Sequence, residues 1–530
     1  MSCFLTIDAL TLATPDARPL FSDLSLTVGA ERVGLVGRNG CGKSTLLRAI
    51  AGAVPPAAGS ISLTGSMAML DQHAAEGAAS IAAALGVREA WQCLQRILAG
   101  EGSEQDLVEA DWTLEARAAE AFERVGLAPR ALDAPLDANS GGERTRIALA
   151  RLLMAEPDLI LLDEPTNNLD AEGRTAIHDL IAGWRGGVLV ASHDRALLEG
   201  MDRIVELAPT GISITGGGWS DFEAARSARL ERIGKEAERA EAALDQASRS
   251  VQSRVERKAR SDRAGRKLRA SHSQAKVLLD ARKERAEGSD GRVSRAGEKQ
   301  MDAARSRLDA ARAQVQIVTP LHIDIPKCGL SPDRRIVELD KVRFARPGGP
   351  VLGPVSLEIR GPERVALAGP NGCGKSTLIA VIAGEIDPVE GRAEAYRERF
   401  AVLDQAVTLL DPHSSLAENC RRLNPELDSN AVHAALARFG FRNTAALQTA
   451  GSLSGGERIR AGLACVLSGR QPPWLLILDE PTNHIDLAAM EILEAALRGY
   501  DRALLVVSHD RTFLDRIGIE RTVALRPGCG

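Results

Sequence analysis

Short apolar runs recur in both halves of the chain and predict buried β-strands. Each run is four or five residues long and is followed by a longer stretch with helical periodicity. Continuous apolar runs of this length are typical of parallel strands that are covered on both faces. The runs are Arg32–Val36, Leu159–Leu162, Gly187–Ala191, Arg364–Ala368, Trp474–Leu478 and Ala503–Val507. This pattern predicts a mostly parallel α/β sheet in each half of the chain.

The middle of the chain has a different pattern, in which Glu, Arg, Lys and Ala dominate. Apolar positions alternate at spacings of three and four from Leu230 to Val251, and again from Met301 to Val318. Two heptad stripes that face each other predict an antiparallel helical hairpin. Pro320 then ends the second helix, because proline cannot continue a helix.

Length and composition fit two large domains and a connector. With 530 residues, of which 44% are apolar, the chain is too long for one hydrophobic core. The predicted domains are a first α/β domain over 1–219, the hairpin over 220–318 and a second α/β domain over 319–530.

Several classes of protein are disfavoured by what the sequence lacks. It has no run of about 18 apolar residues that would span a bilayer, and Met1–Ala13 does not have the features of a secretory signal. The eight cysteines include no C-x-x-C pair, so neither a zinc site nor a disulfide framework is expected. The net charge of -5 excludes a basic surface over the whole protein. We expect a cytoplasmic protein with no transmembrane segment.

The two halves carry the same motifs in the same order. The run GRNGCGKST at Gly37–Thr45 returns 332 residues later as GPNGCGKST at Gly369–Thr377. DEPTN follows at Asp163 and at Asp479, and SHDR at Ser192 and at Ser508. The chain is therefore a tandem duplication.

Each glycine-rich run lies between a predicted strand and a predicted helix, which is the context of a phosphate-binding loop. Backbone N–H groups and a helix N-terminus favour triphosphate oxygens. Lys43 and Lys375 are expected to reach the β and γ phosphates of ATP, and Ser44 and Ser376 to ligate Mg²⁺. The candidate ATP-binding residues of the two loops are Gly37, Arg38, Asn39, Gly40, Cys41, Gly42, Lys43, Ser44, Thr45, Gly369, Pro370, Asn371, Gly372, Cys373, Gly374, Lys375, Ser376 and Thr377.

A pair of acidic residues ends a predicted strand in each half. Asp163 and Asp479 are placed to hold Mg²⁺, directly or through water. Glu164 and Glu480 come next and are the candidate general bases that activate water. The alternative is that these acids only cap the helices that follow them.

A histidine follows the next strand at the same distance from the acids in both halves. His193 and His509 are expected to sense the γ phosphate or to hold the attacking water, although a single histidine at a strand end is more often structural. Gln72 and Gln405 follow the lysines by 29 and 30 residues and are further candidate ligands of Mg²⁺ and water.

A Ser-Gly-Gly-Glu turn before an apolar helical segment provides a second phosphate cradle in each half. These signature residues are Ser140, Gly141, Gly142, Glu143, Ser454, Gly455, Gly456 and Glu457. With them the sequence resembles the ATP-binding-cassette superfamily over about four fifths of its length. The resemblance implies two P-loop NTPase cassette domains of α/β class, joined by the antiparallel α-helical coiled-coil hairpin. It also implies that the signature of each cassette completes the nucleotide site of the other, so that both sites form within one monomeric chain.

Two departures from the family pattern imply that the sites are unequal. The residue before the signature serine is usually apolar, as at Leu453, but the first copy has Asn139. The family also carries an aromatic residue that stacks on adenine about 25 residues before the loop. Phe344 fits this position in the second half, whereas the first half offers only Leu12, which predicts weaker stacking there.

The paired forms DEPTNNLD and DEPTNHID, at Asp163–Asp170 and Asp479–Asp486, resemble the ABC-F class. Members of that class are tandem cassettes with a helical linker that act on ribosomes, so the resemblance implies an ATPase that regulates translation. One alternative is the ATPase subunit of a membrane transporter. A second is a DNA-maintenance ATPase, although the long coiled coils or zinc cysteines of such proteins are absent from the sequence.

Basic charge is concentrated at the predicted end of the hairpin. Arg249–Arg285 contains 13 Lys or Arg against 4 Asp or Glu, about +9 on a chain of net charge -5. A polyphosphate partner explains such a stretch, whereas an ordinary solvated coiled coil intersperses both signs. The candidate contacts to ribosomal RNA or tRNA are Arg254, Arg257, Lys258, Arg260, Arg263, Arg266, Lys267 and Arg269.

Overall fold

The strands of the chain belong to two sheets in each half. The computed structural model describes residues 3–14, 16, 19–70, 78–167, 169–208, 211–270, 299, 301–310, 325, 327–346, 348–469, 471–483 and 485–525. The strands are β1 (Cys3–Ala13), β2 (Pro19–Gly29), β3 (Arg32–Gly37), β4 (Ala58–Leu63), β5 (Met67–Leu70), β6 (Leu159–Asp163), β7 (Gly187–Ala191), β8 (Arg203–Ala208), β9 (Gly211–Gly216), β10 (Arg335–Phe344), β11 (Leu352–Arg360), β12 (Arg364–Ala368), β13 (Glu390–Ala395), β14 (Phe400–Leu403), β15 (Leu475–Asp479), β16 (Ala503–Val507) and β17 (Arg521–Ala524).

The helices cover the sheets and form the connector. They are α1 (Lys43–Ile50), α2 (Ile81–Ala84), α3 (Arg88–Leu98), α4 (Glu104–Glu109), α5 (Leu114–Arg124), α6 (Gly141–Ala155), α7 (Ala171–Ala182), α8 (Arg195–Glu199), α9 (Trp219–Ala270), α10 (301–310), α11 (Lys375–Ala383), α12 (Leu416–Leu423), α13 (Ser429–Arg438), α14 (Gly455–Leu467), α15 (Leu487–Gly499) and α16 (Arg511–Arg516).

The central sheet of each half has the predicted parallel arrangement. Its order is β5-β6-β7-β3-β8-β9 in the first half, where only β9 runs antiparallel, and β14-β15-β16-β12-β17 in the second. All six predicted apolar runs are strands, and β6, β7 and β16 are buried along their whole length. Because the strands are parallel, the loops after β3 and β6 open at the same edge of the sheet. The motifs of the first half lie at this edge of the sheet. The motifs of the second half lie at the corresponding edge, after β12 and β15.

A three-stranded antiparallel sheet packs beside each central sheet, which the apolar pattern did not reveal. Its order is β2-β1-β4 in the first half and β11-β10-β13 in the second. Leu12 is paired with Phe21 and Phe344 with Leu352 in equivalent registers. Apolar residues of this sheet, of the central sheet and of α1 or α11 form one core in each half.

The helical layer differs between the halves. The segment between the glutamine and the signature spans 68 residues in the first half and 49 in the second. In the described residues the first half has α2–α5 there, whereas the second has α12 and α13 and short 3₁₀ turns. The additional helices are α3 and α4, and Trp112 just after α4 is 61% exposed.

The middle of the chain forms a separate helical unit, Phe222–Thr319, while the other unit combines Met1–Asp221 with Pro320–Gly530. Its main element is α9, a helix of 52 residues, or roughly 80 Å at the usual rise per residue. Ala247 on α9 and Leu308 on α10 are buried members of the two predicted heptad stripes. The long helical insertion between the two α/β domains is therefore confirmed. Within the part of the chain that the structure describes, no helix has the length and apolar character needed to cross a membrane.

Candidate active sites

The two glycine-rich loops have the same geometry. Each lies between a central strand and a helix that begins at the lysine, and Lys43 Nζ donates to Gly37 O at 2.8 Å while Lys375 Nζ donates to Gly369 O at 2.7 Å. Gly374 caps α11 with a left-handed φ of 97°, and a Cβ there would lie 2.4 Å from Leu352 Cδ1. A side chain is therefore excluded where the backbone must turn its N–H groups inward.

The acidic pair occupies the end of the strand beside the loop. Asp163 is the last residue of β6 and Asp479 the last residue of β15, and the glutamates after them adopt left-handed φ values of 48° and 49°. The N–H of Glu164 donates to Ala191 O at 2.8 Å, and the equivalent bond of Glu480 is 2.9 Å. A left-handed non-glycine residue costs about 1–3 kcal/mol and recurs at functional sites. The turn holds both glutamates in that conformation.

The helix-capping alternative for these acids is wrong. The residues that cap α7 and α15 are Asp170 and Asp486, which accept from the N–H groups of Gly173 and Ala489. Glu164 and Glu480 instead project toward the histidines.

Lysine, histidine and glutamate form one cluster in each cassette. His193 Nε2 lies 3.0 Å from Lys43 Nζ and 3.3 Å from Glu164 Oε1. In the second cassette, His509 Nε2 lies 3.1 Å from Lys375 Nζ and 3.3 Å from the same atom of Glu480. The structure thus brings together the three side chains that the motifs predict around a γ phosphate.

Burial controls the protonation of these clusters. It raises the pKa of Glu164 to about 8 and that of Glu480 to about 7. Burial, with the charge of the neighbouring lysine, also lowers the pKa of His193 well below its usual range and that of His509 to about 4. Once it is ionised, a carboxylate with a raised pKa is a stronger base than an ordinary glutamate.

The first site is bounded by both cassettes. Around Lys43, a cavity of about 280 Å³ is lined by Asp163, Glu164 and His193, together with Thr482 of the second cassette. A second cavity, of about 590 Å³, lies between the first glycine-rich loop and the second signature, and the residues of these motifs that line it are Arg38, Asn39, Gly40, Cys41, Ser454, Gly456 and Glu457. The predicted approach of the first loop to the second signature is present in the structure, and the nucleotide contacts themselves stay a prediction.

The second site is assembled around Lys375. Its cavity, of about 490 Å³, is lined by Ser376, Gln405, Asp479, Glu480 and His509. The first signature, 140–143, does not line this cavity, so its contribution there stays a prediction. Gln72 lies outside the described residues.

The signature glutamates have a structural role. Ser454 Oγ accepts from Glu457 N at 3.4 Å, and Glu457 Oε2 accepts from Ser454 N at 3.0 Å. Ser140 and Glu143 make the same reciprocal pair at the start of α6. This capping box satisfies backbone groups at the helix start. In addition, Arg130 donates to both Asn139 and Glu143, so that the polar residue that departs from the family pattern is satisfied.

Two aspartates that sequence reasoning missed connect the cassettes. Asp486 Oδ2 accepts from the N–H of Asn39 at 2.8 Å, and Asp170 Oδ2 accepts from the N–H of Asn371 at 3.4 Å. Each aspartate therefore binds the glycine-rich loop of the opposite cassette. The available signal was that both copies of the acidic motif end in Asp after an equal interval.

An aromatic ring packs under the glycine that precedes the lysine in each loop. Phe344 is 1% exposed and packs under Gly374, with Cε2 3.1 Å from a Cβ built there, and it does not line the cavity, whereas Arg346 and Leu352 do. In the first cassette, Phe21 lines the larger cavity while Leu12 is buried. Since Phe21 is paired with Leu12 across the sheet, the aromatic residue has changed strands. Phe21 is therefore a further candidate in the first half, and stacking on adenine at either site stays a prediction.

The chemistry of each site fits a magnesium ion bound with a substrate. Burial raises the pKa of Asp479, which also shares a hydrogen bond with Ser376. Ser44, Asp163 and Thr45 line the equivalent cavity of the first site. The described ranges contain no cluster of three or more His, Cys, Asp or Glu side chains that could hold a metal ion. Such a donor set fits Mg²⁺, which is usually held by one or two protein oxygens together with substrate phosphates.

The basic residues predicted to contact RNA all lie on α9. The side chains of Arg257, Arg260 and Arg263 are exposed. The side chains of Arg254, Lys258, Arg266, Lys267 and Arg269 lie outside the described part.

Paired phosphate-binding loops, a Lys–His–Glu cluster behind each, and a signature turn against the first loop define an ATP-hydrolysing enzyme of two cassettes. The comparisons agree. A family model described as "ABC transporter" matches residues 21–167 and 352–483. Tylosin resistance ATP-binding protein TlrC of Streptomyces fradiae is 32% identical, over 94% of each chain. Energy-dependent translational throttle protein EttA of Mycobacterium tuberculosis is 31% identical, over 93% of this chain and 86% of that one.

A solved structure shares the fold. The archaeal ribosome recycling factor aABCE1, in complex with the ribosomal stalk protein aP1, matches with a TM-score of 0.55 and 19% identity over 98% of this chain and 87% of that one. The chain belongs to the ATP-binding-cassette family and, within it, to the ABC-F subfamily.

Proposed function

We propose that this ABC-F ATPase binds ribosomes in the cytoplasm, hydrolyses ATP with Mg²⁺ at both sites, and regulates translation. Two relatives support this role by name, since one is a translational throttle protein and a structural neighbour is a ribosome recycling factor. The observation in this chain that carries the proposal is the basic stretch of α9. Arg257, Arg260 and Arg263 recur at intervals of three and are exposed, as a surface for a phosphate backbone requires.

The clusters explain hydrolysis. Glu164 or Glu480 accepts a proton from water, whose oxygen forms a bond to the γ phosphorus while the bond to the leaving ADP oxygen breaks. The nearby histidine, neutral because its pKa is low, orients the water or the γ phosphate through Nε2. Lys43 or Lys375 exchanges its bonds to loop carbonyls for phosphate oxygens. Ser44 and Asp163, or Ser376, Gln405 and Asp479, would hold Mg²⁺, and the bound ion would neutralise phosphate charge. Gln72 stays a further candidate ligand from the sequence.

The cassette contacts explain how ATP binding is linked to a change of state. Asp486 and Asp170 bind the opposite glycine-rich loops, so a nucleotide in either loop bears on both cassettes. We infer that the two cassettes close on ATP and separate after hydrolysis. Such a two-state change can act on a partner only if the partner binds one of the two states more tightly.

Ribosome binding is tested by co-sedimentation of the Glu164→Gln, Glu480→Gln protein with purified ribosomes, with ATP or with ADP. We expect pelleting with ATP that is lost after charge reversal of Arg257, Arg260 and Arg263 to Glu. The matched control reverses Arg232, Lys235 and Arg239, which are three exposed cations on the same helix. Pelleting that survives the first set, or that is lost equally with the control set, would contradict the RNA contact. Absence of pelleting with either nucleotide would contradict the ribosomal role and favour a transporter-docked or DNA-directed ATPase.

A further inference from the structure

The five-residue helix α8 begins directly after the histidine of the first site. Asp194 caps this helix, accepting from the N–H groups of Ala196 and Leu197 at 3.0 and 3.2 Å. Its other oxygen forms an ion pair of 3.1 Å with Arg174, and both side chains are largely buried. A short capped turn thus joins His193 to α8, so displacement of the histidine is transmitted to the helix.

Both ends of α8 are fastened to the first turn of the linker helix α9. At one end, Glu199 Oε2 accepts from Ser220 N at 2.8 Å and from Ser220 Oγ at 3.0 Å. At the other end, the guanidinium carbon of Arg195 lies 5.5 Å from the centre of the Trp219 ring, within the range of a cation–π contact. Gly218 approaches so closely that a Cβ there would lie 2.4 Å from Glu199 O. The start of α9 therefore follows the position of α8.

Arg195 also reaches the second cassette. Its Nη1 donates to Glu494 of α15, and both side chains are no more than 2% exposed. Arg195 Nε and Nη2 have no hydrogen-bond partner in the described part of the chain. The buried cation therefore depends on Glu494 and on the ring of Trp219, since an uncompensated buried charge is strongly unfavourable. Separation of the cassettes would remove its ion-pair partner, Glu494.

At the second site, the described residues form no equivalent of the Arg195–Glu494 pair. The residue that corresponds to Arg195 is Arg511, which is exposed at the start of α16. The residue that corresponds to Glu494 is His178, which cannot pair with an arginine in the same way. Within the described residues, the duplication thus retained the histidine cluster in both cassettes, and the buried arginine–glutamate pair beside the first site only.

We propose that α8, through Arg195, Glu199 and Trp219, couples the first nucleotide site to the linker helix, so that the linker responds to the first site and not to the second. Arg195 is a positioning residue in this scheme. It senses His193 through α8 and cassette closure through Glu494, and it transmits both to Trp219. The inference rests on the proposed ATP binding at the first site and needs neither hydrolysis nor a ribosome, so it fails or holds independently of the proposed partner.

The test is hydrogen–deuterium exchange of the full chain carrying Glu164→Gln and Glu480→Gln, with ATP and with ADP. Peptides from α14 report cassette closure, and peptides from 222–270 report the linker. We expect ATP to change exchange in both sets. Trp219→Leu should abolish the change in the linker peptides and leave that of α14, whereas Trp219→Phe, which keeps a ring beside Arg195, should retain both.

Two arginine variants complete the experiment. Arg195→Met should lose the linker response, and the matched Arg511→Met should retain it. The proposal is overturned if the linker response persists in Trp219→Leu and Arg195→Met, if it is absent from the parent, or if Arg511→Met removes it as well. Loss of the α14 response in Trp219→Leu would assign that residue a purely structural role and would also overturn the proposal.

Discussion

The two nucleotide sites have nearly identical reacting clusters and different surroundings. The contacts of His193 with Lys43 and Glu164 match those of His509 with its partners to within about a tenth of an ångström. Around them, Arg174 in the first cassette corresponds to Met490 in the second, and its charge helps to lower the pKa of His509. Duplication therefore preserved the groups that act on the γ phosphate, while the interface around them diverged.

The charged residues at the interface between the cassettes differ between the two sites. Arg195 and Glu494 form a buried pair, whereas their counterparts Arg511 and His178 do not. The arginine of this pair follows the histidine of the first site, and the second site has a different environment at the corresponding position. The predictions below concern matched pairs of positions in the two cassettes.

The largest effect is expected from the catalytic glutamates. Glu164→Gln with Glu480→Gln removes the groups that accept the proton, so steady-state phosphate release should fall about 10²–10⁴-fold. ATP binding should remain, as measured with a fluorescent nucleotide. Glu172→Gln changes an exposed acid on α7 and is the control. Normal turnover by the double variant would show that another group is the base.

The buried interface pair should dominate the effects on stability. Arg195→Met leaves Glu494 buried with only Arg516, at 3.5 Å, as a partner, so we expect a loss of about 3–5 kcal/mol. The exposed Arg511→Met should change the free energy of unfolding by no more than about 0.5 kcal/mol. Thermal unfolding of both variants measures the difference. Equal midpoints for the two would contradict the importance of the pair.

The residues before the signatures predict a smaller effect. Leu453→Asn places an amide in an apolar site that lacks an equivalent of the Arg130 contact, at a cost of about 1–3 kcal/mol. Asn139→Leu removes one hydrogen bond of Arg130 and should cost roughly 1 kcal/mol. Chemical denaturation followed by circular dichroism compares them. A larger loss for Asn139→Leu would reverse this ranking.

The smallest expected effect concerns the aromatic residues. Phe21 lines the larger cavity of the first site, so Phe21→Leu should weaken ATP binding there by about 0.5–1.5 kcal/mol. Phe344 is buried under Gly374, so Phe344→Leu should lower stability and leave ATP affinity nearly unchanged. Nucleotide titration of both variants separates the two roles. If Phe344→Leu lowers the affinity for ATP and Phe21→Leu does not, Phe344 is the residue that stacks on adenine.

Local sequence determined what could be predicted. Apolar runs such as Ala503–Val507 gave six strands of the central sheets to within a residue, because parallel strands are buried on both faces. The residues of the Lys–His–Glu clusters were predicted from the motifs, because each motif follows a central strand in the same order in both halves. The antiparallel sheets were not predicted, because largely exposed strands such as β4 have a weak pattern of apolar residues.

Contacts between distant residues could not be predicted. Arg195 and Glu494 are 299 positions apart, and nothing in either local sequence indicates the other. Phe21 was missed because the family rule counts residues back from the loop, whereas the aromatic ring had moved to the paired strand. Tertiary pairing, and not local propensity, decides such positions.

The central claim is that each cassette supplies one complete hydrolytic cluster. A rapid-quench experiment with ATP in excess would measure the first burst of phosphate per chain for the wild type, Glu164→Gln, Glu480→Gln and the double variant. The account predicts that each single variant retains a burst about half that of the wild type, and that the double variant has none. Loss of the whole burst in one single variant, or a full burst in the double variant, would contradict the claim that the two clusters hydrolyse ATP independently.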